Sequence, residues 1–392
     1  SHGSIRNMRV GVFSTHPIQY QVPLWKGLNA EKDVDLNVFY FSDHGVSSNF
    51  DEGFGETIVW DVPLLEGYPY QFLSKRPIGS SESFSIENPS SLLEKYRFDI
   101  ILIHGYTHRF ARQLVRLKAK FDYKIILRGE FTEMARRPLG IRSLAKRIYL
   151  KWFYRYVDHF CSIGEDASEH LRILGVSQRR ITIAPYSVDD SVIQKSLEKY
   201  DRLSSREQLG IESDEFVFLF SGKMISRKQP LFLADALLSL LKRNRKFTAI
   251  FLGSGGQHQE LCEKLGPKLG DSFIAPGFVN QTKLGLYFTA ADALVLPSDF
   301  DTWGLVVNEA MHYGLPCIVS DKVGSSRDLI VSGITGEVFS FDNLSQLERA
   351  LENLILAPEK AKLMGENAFE KIQGYTIKKT LDGLISSIKE CQ

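Results

Sequence analysis

Short apolar runs separated by amphipathic stretches recur along this chain. Residues 9–13, 34–40, 99–103, 124–127 and 160–164 are such runs, and 181–189 holds another that ends around Pro185. Near-continuous apolar runs of this length read as strands buried on both faces of a parallel sheet. Helical spacing fills several of the gaps, so the first half predicts alternating strands and helices in a doubly wound sheet. The pattern restarts at 216–220, followed by a helix over 231–241 and strands at 248–252 and 293–296. Two similar halves predict an α/β protein of two Rossmann-like doubly wound domains facing a central cleft. The charged stretch 191–214 is the expected connector. Residues 376–389 predict an amphipathic helix through Ile377, Leu381, Leu384, Ile385 and Ile388.

Length agrees with two domains: 392 residues exceed one ordinary core and suit two of about 180 residues each. A net charge of +1 gives no global pull toward nucleic acid. Cys161, Cys262, Cys317 and Cys391 are scattered without metal-like spacing, so neither a disulfide framework nor a zinc site is indicated and a reducing cytosol is expected. No apolar run has the length of a bilayer span, and the N-terminal residues lack the apolar core of a secretion signal. Ser1, His2, Gly3 and Ser4 read as an expression scar.

The densest chemistry lies in residues 297–316, PSDFDTWGLVVNEAMHYGLP. The strand at 293–296 runs into a polar loop and then a helix that starts near Gly304 and ends at Gly314 and Pro316. In open α/β sheets this is where ligands bind, and the N–H groups around Trp303, Gly304 and Leu305 suit phosphate oxygens. Glu309, five residues on, stands roughly 7 Å beyond that end at 1.5 Å per residue, a reach that suits a ribose hydroxyl pair. Asp301, still in the loop, can accept hydrogen bonds from sugar hydroxyls. The plainer alternative is that Asp301 or Thr302 caps the helix and Glu309 is solvated.

The loop at 221–230 sets Lys223 and Lys228 five residues apart where a strand ends and a helix begins. Such cations bind a pyrophosphate and neutralise charge on a departing diphosphate; surface lysines with no ligand are the alternative. Gly253, Ser254, Gly255 and Gly256 follow a strand, but the full dinucleotide fingerprint is missing.

Residues 301–316 resemble the paired-acid signature of family 4 of the retaining glycosyltransferases, which have the GT-B fold of two Rossmann-like domains. Asp301, Glu309, Ala310, Gly314 and Pro316 stand at the motif positions, with Asp301 where the first acid is usually Glu. Gly222, Lys223 and Lys228 match a second motif of that family, with Lys223 in the place of an arginine. Phe278 and Val279 fall in the segment whose backbone reads the nucleobase. At 324–328 a Ser and an Asp replace the second Gly and the Glu of relatives. The resemblance implies a metal-independent transferase without a bound cofactor, taking a nucleotide diphosphate sugar to a glycan, lipid-linked or polymer acceptor in polysaccharide biosynthesis. Lys223, Lys228, Asp301 and Glu309 would carry donor binding and catalysis, beside Gly222, Trp303, Gly304 and Leu305. It also implies a domain of residues 1–188 for the acceptor, one of 189–372 for the donor, and a terminal helix at 373–392 that crosses back to the first. A nucleotide-sugar epimerase or phosphorylase on the same fold, and a non-catalytic nucleotide-sugar sensor, remain the alternatives.

On the acceptor side, the loop after the first strand offers His16, Gln19 and Tyr20, and later strand ends offer His104, Arg128 and Glu130. Capping or packing roles compete with acceptor contact at each. Between 101 and 156 there are fourteen Lys or Arg against Asp122, Glu130 and Glu133. The stretch 136–156 interleaves seven of these cations with aromatic and aliphatic residues, which suits either a core-packed helix with a basic side or peripheral contact with an anionic membrane at its inner, cytoplasmic face.

Overall fold

The computed structural model describes residues 7–42, 49–51, 56–58, 63–74, 84–105, 108–130 and 140–392. The chain divides into two compact units, one of Ser1–Ser47, Val62–Tyr186 and Ile377–Gln392, the other of Ser48–Asp61 and Ser187–Thr376.

In the first unit the apolar runs become β1 (Met8–Ser14) and β2 (Val34–Tyr40). A separate antiparallel ladder of β3 (Asn49–Asp51) and β4 (Glu56–Ile58) belongs to the second unit. The sheet continues with β5 (Tyr70–Phe72), β6 (Ile100–His104), β7 (Lys124–Arg128), β8 (His159–Ser162) and β9 (Ile181–Ile183). Its order is β5-β2-β1-β6-β7-β8-β9, with every pair parallel. Val12, Leu102 and Ile126 are fully buried, as strands covered on both faces require.

The helix Ile377–Glu390 completes this unit from the far end of the sequence. Leu384 and Ile388 enter the same core cluster as Val12, Trp25 and Ala184. Thr380 Oγ1 donates to the Pro185 carbonyl at 2.6 Å, and Ser387 Oγ lies 3.0 Å from Cys161 Sγ. The approach is close because Gly383 has no side chain: a Cβ there would sit 2.5 Å from the Ile183 carbonyl oxygen.

The second unit holds β10 (Val217–Ser221), β11 (Thr248–Leu252), β12 (Phe273–Gly277), β13 (Ala293–Leu296), β14 (Cys317–Ser320) and β15 (Gly336–Phe339). The strands are parallel, in the order β12-β11-β10-β13-β14-β15. Both sheets therefore reverse direction beside their first strand, between β1 and β6 in one and between β10 and β13 in the other. Loops leaving such a pair diverge to opposite faces, which opens a crevice at the carboxyl edge.

The connector expected over 191–214 is instead folded into the second unit as two helices, Asp190–Lys199 and Arg202–Leu209. Asp189 and Asp201 cap them by accepting from the N–H groups of Ser191 and Ser204. Arg206 is 2% exposed. Its guanidinium donates to Asp292 at 2.7 Å and to the carbonyls of Glu212 and Glu215 at 2.9 and 2.7 Å. The charges of this stretch are thus partly a buried network, and a buried charge is tolerated only when partnered in this way.

Candidate functional site

Two loops meet at the β10/β13 reversal. After β10 the chain passes Gly222 and Lys223, makes a short turn at Ser226–Lys228, and enters the helix Pro230–Lys242. After β13 it crosses residues 297–304 and enters the helix Leu305–His312. Lys228 Nζ donates to Asp301 Oδ1 at 2.6 Å, and Arg227 Nη1 reaches the same oxygen at 3.2 Å. Arg227 also donates to the Phe300 carbonyl at 2.8 Å, and Asp299 N–H donates to the Arg227 carbonyl at 2.8 Å. The carboxylate is 8% exposed and the Lys228 side chain 16%, so this pair is far less screened than a surface ion pair.

Neighbouring loops hold this pair in register. Asp301 N–H donates to the Lys322 carbonyl at 3.2 Å, the Asp301 carbonyl accepts from Gly324 N–H at 2.9 Å, and Ser325 N–H donates to the Trp303 carbonyl at 2.9 Å. A Cβ on Gly324 would lie 1.9 Å from the Thr302 carbonyl oxygen. On the other side, Gly222 N–H donates to the Leu252 carbonyl and Met224 N–H to that of Ser254. Gly253, at φ +119°, would place a Cβ 1.9 Å from the Gly222 carbonyl oxygen. Only glycine lets these backbones touch.

The helix Leu305–His312 starts from Gly304 at φ +90°. Trp303 is buried and its indole N–H donates to Asn308 Oδ1 at 2.8 Å, which pins the entering loop to the first turn. Leu305 and Lys223 are half-buried, while Glu309 is buried on the second turn. Phe278 and Val279 are half-buried in the loop after β12, whose end is tied to β11 by Gly253 N–H donating to the Gly277 carbonyl. The donor-side candidates therefore share one carboxyl edge of one sheet. Arg227 joins them although the lysine spacing alone does not single it out; three cations within residues 223–228 are the signal for it.

In the first unit, His16, Gln19 and Tyr20 are half-buried in the loop after β1, with His16 Nδ1 2.9 Å from Thr15 Oγ1. His104 ends β6 and Arg128 ends β7. Arg128, a candidate acceptor contact, is 1% exposed and ties interior carbonyls together. It donates through Nη2 to the Ala184 and Pro185 carbonyls at 3.0 and 3.4 Å, and its guanidinium carbon lies 5.0 Å from the centre of the Tyr186 ring. Thr380 shares the Pro185 carbonyl. His104 is also buried, with Nδ1 3.4 Å from Arg128 Nη1. Burial first, and then the neighbouring Arg128 charge, hold its pKa well below the ordinary 6.5, so the neutral ring accepts from the guanidinium. Glu130, exposed beyond β7, is hydrogen-bonded to Tyr186. Desolvation chiefly, with Glu130 adding to it, pushes the Tyr186 phenol well above 10.0. Three of the six acceptor candidates thus form one cluster with Tyr186.

Residues 201–371 match the family model described as Glycosyl transferases group 1. Over 218 residues the chain is 29% identical to D-inositol 3-phosphate glycosyltransferase 2 of Catenulispora acidiphila, covering 53% of this chain and 49% of that protein. The chain spans about half the length of the inositol phosphate glycosyltransferases it matches. Among solved structures, it is similar to sucrose-phosphate synthase from Thermosynechococcus elongatus, with a TM-score of 0.71, 17% identity and 98% of both chains covered. Anabaena HepE in complex with UDP and glucose aligns with a TM-score of 0.70 at 15% identity, over 97% of this chain and 99% of that one. These likenesses assign the GT-B fold.

Within residues 201–371, three cations and Asp301 lie along two adjacent loops, with Glu309 buried in the helix that follows the second. Such a set can bind an anion through the cations while the acids bind hydroxyl groups. Among the described residues, no group of three or more His, Cys, Asp or Glu is placed to hold a metal ion.

Proposed function

We propose that the chain is a retaining glycosyltransferase that moves a sugar from a nucleotide diphosphate sugar to an acceptor hydroxyl on a glycan, a lipid-linked sugar or a polymer. The observation that carries this reading is the convergence of Arg227 and Lys228 on Asp301 in the loops after β10 and β13, the strands between which the sheet order reverses. A diphosphate suits that crevice, where two cations are held by one carboxylate and the helix start at Gly304 adds N–H donors. HepE, of the same fold, was solved with UDP and glucose, and the inositol phosphate relatives are named for glycosyl transfer; both support a nucleotide sugar as donor.

In this reading Lys223, Arg227 and Lys228 face the diphosphate. Asp301 holds Lys228 in place and borders the sugar, and Glu309 binds the ribose. The backbone near Phe278 and Val279 reads the base. The acceptor oxygen forms its bond to the anomeric carbon on the face from which the diphosphate leaves. The bond to the leaving oxygen breaks, and the acceptor proton passes to that oxygen. Rate enhancement then comes from positioning and from positive charge beside the departing diphosphate. His16, Gln19 and Tyr20, at the β1/β6 reversal of the other unit, line the acceptor side.

A thermal-shift screen of nucleoside diphosphates, followed by turnover of the matching sugar nucleotides, tests the proposal. The expected result is a raised melting temperature with one diphosphate and a product of retained anomeric configuration. An inverted product contradicts the mechanism. Binding without transfer or hydrolysis contradicts the transferase and favours a nucleotide-sugar sensor.

A further inference from the structure

The helix Ile141–Tyr154 buries one face and leaves an apolar one in solvent. Leu150, Phe153 and Tyr154 point into the first unit. On the opposite side Ile141, Leu144, Ile148 and Trp152 are 90%, 54%, 63% and 46% exposed, and Tyr156, just past the end, is 41% exposed. At about 100° per residue, the four helical positions fall within roughly 80° of arc. The Trp152 and Tyr156 rings meet edge to face at 5.4 Å, so the stripe is continuous at this end.

Exposed cations flank this stripe. Arg142 lies on one side and Lys151 on the other, with Arg155 at the end, and the helix contains no Asp or Glu. Arg136 and Arg137, which extend the basic stretch in sequence, lie outside the described residues.

Scattered exposed apolar residues need no explanation, but a contiguous stripe of them does. We infer that this helix docks the first unit on an anionic lipid surface, lying in the interface plane with its apolar stripe inserted and its cations at headgroup level. Charge selects this occupant. Aliphatic residues with Trp and Tyr flanked by exposed cations match the chemistry of an anionic bilayer boundary. A second copy of the same face would set cation against cation with no acid to offset them. None of the described helices is long and apolar enough to cross a membrane. The inference is independent of what the second unit binds.

Co-sedimentation tests it, using vesicles of phosphatidylcholine mixed with phosphatidylglycerol and vesicles of phosphatidylcholine alone. The full chain should pellet with the mixed vesicles, weakly or not at all with the neutral ones, and less as salt rises. Ile148→Ser combined with Trp152→Ser should weaken that binding about tenfold or more, with an unchanged melting temperature because both side chains are exposed. Arg142→Gln combined with Lys151→Gln should remove the preference for the anionic vesicles. Failure of the unaltered chain to pellet with mixed vesicles overturns the inference. So does undiminished binding by the Ser variant, or a dimer in gel filtration that the Ser variant dissociates without any vesicle binding by either protein.

Discussion

Lys228 Nζ lies 2.6 Å from Asp301 Oδ1, across the point where the second sheet reverses its strand order. The carboxylate at the position of a sugar-binding acid is thus also the group that orients the cation proposed to bind phosphate. A shorter side chain than the usual Glu is compatible with both, since its Oδ1 already receives Lys228 and Arg227.

Removing that carboxylate should cost stability as well as activity. Asp301→Ala leaves Lys228 without this acceptor, and loss of a hydrogen bond to a charged group costs about 1.5–3 kcal/mol. Asp301→Asn should keep most of the stability and lose activity at least about tenfold, because a neutral amide no longer holds the cation by charge. Denaturant melts beside initial rates check this; an Asp301→Asn protein of unchanged rate would show that the charge is not used.

The glycine contacts predict a different kind of failure. Gly253→Ala and Gly324→Ala each force a Cβ to within 1.9 Å of a carbonyl oxygen, so backbone must shift, at about 2–3 kcal/mol for overpacking of this sort. The displaced loops carry Gly222 and Asp301, so nucleotide affinity should fall together with melting temperature. An Ala variant that melts like the parent would contradict the geometry.

Arg206 separates a folded segment from a connector. Arg206→Met removes one of the two arginines that meet Asp292, the other being Arg202 at 2.7 Å, together with the donor to the Glu212 and Glu215 carbonyls, and should destabilise the second unit by about 3 kcal/mol, as expected for breaking a buried ion pair. A freely solvated connector would show no change in a denaturant melt.

His104 gives an acid-sensitive term in the first unit. Its pKa is lowered by burial and by Arg128, whereas in the unfolded chain it titrates near 6.5. Below that value the unfolded state binds more protons than the folded one, so stability is lost as pH falls. Melting temperatures from about pH 7 down to about pH 5 should drop less steeply in His104→Asn, whose amide oxygen can still accept from Arg128. Equal slopes would place the acid sensitivity elsewhere, for example at His159 or His312, which burial also lowers.

Much of the fold was legible because its central strands, such as 248–252 and 293–296, are apolar on both faces and leave the same trace in any sequence. In the second sheet β12, β14 and β15 were not. β12 is half-buried and carries Pro276 and Gly277, β15 is four residues long and includes Glu337, and β14 is a four-residue run directly behind the helix end at Gly314 and Pro316, so none stands apart as an apolar run. Buried charges leave no such trace. Arg206 and Arg128 look like surface residues in a composition count, and only the fold reveals the carbonyl groups they bind. Of the site, Lys228 and Asp301 could be found from loop position and motif. Their mutual contact could not, since it joins residues 73 apart through a strand order that no local pattern encodes.

The central claim is that a nucleoside diphosphate binds at the β10/β13 reversal through Lys228. Titration calorimetry of a panel of nucleoside diphosphates and monophosphates, with the parent and with Lys228→Met, tests it most directly. The account predicts that one diphosphate binds the parent and loses at least about tenfold in affinity in the variant, while the matching monophosphate changes much less. Equal diphosphate affinity in the two proteins, or no diphosphate binding by the parent, would contradict it.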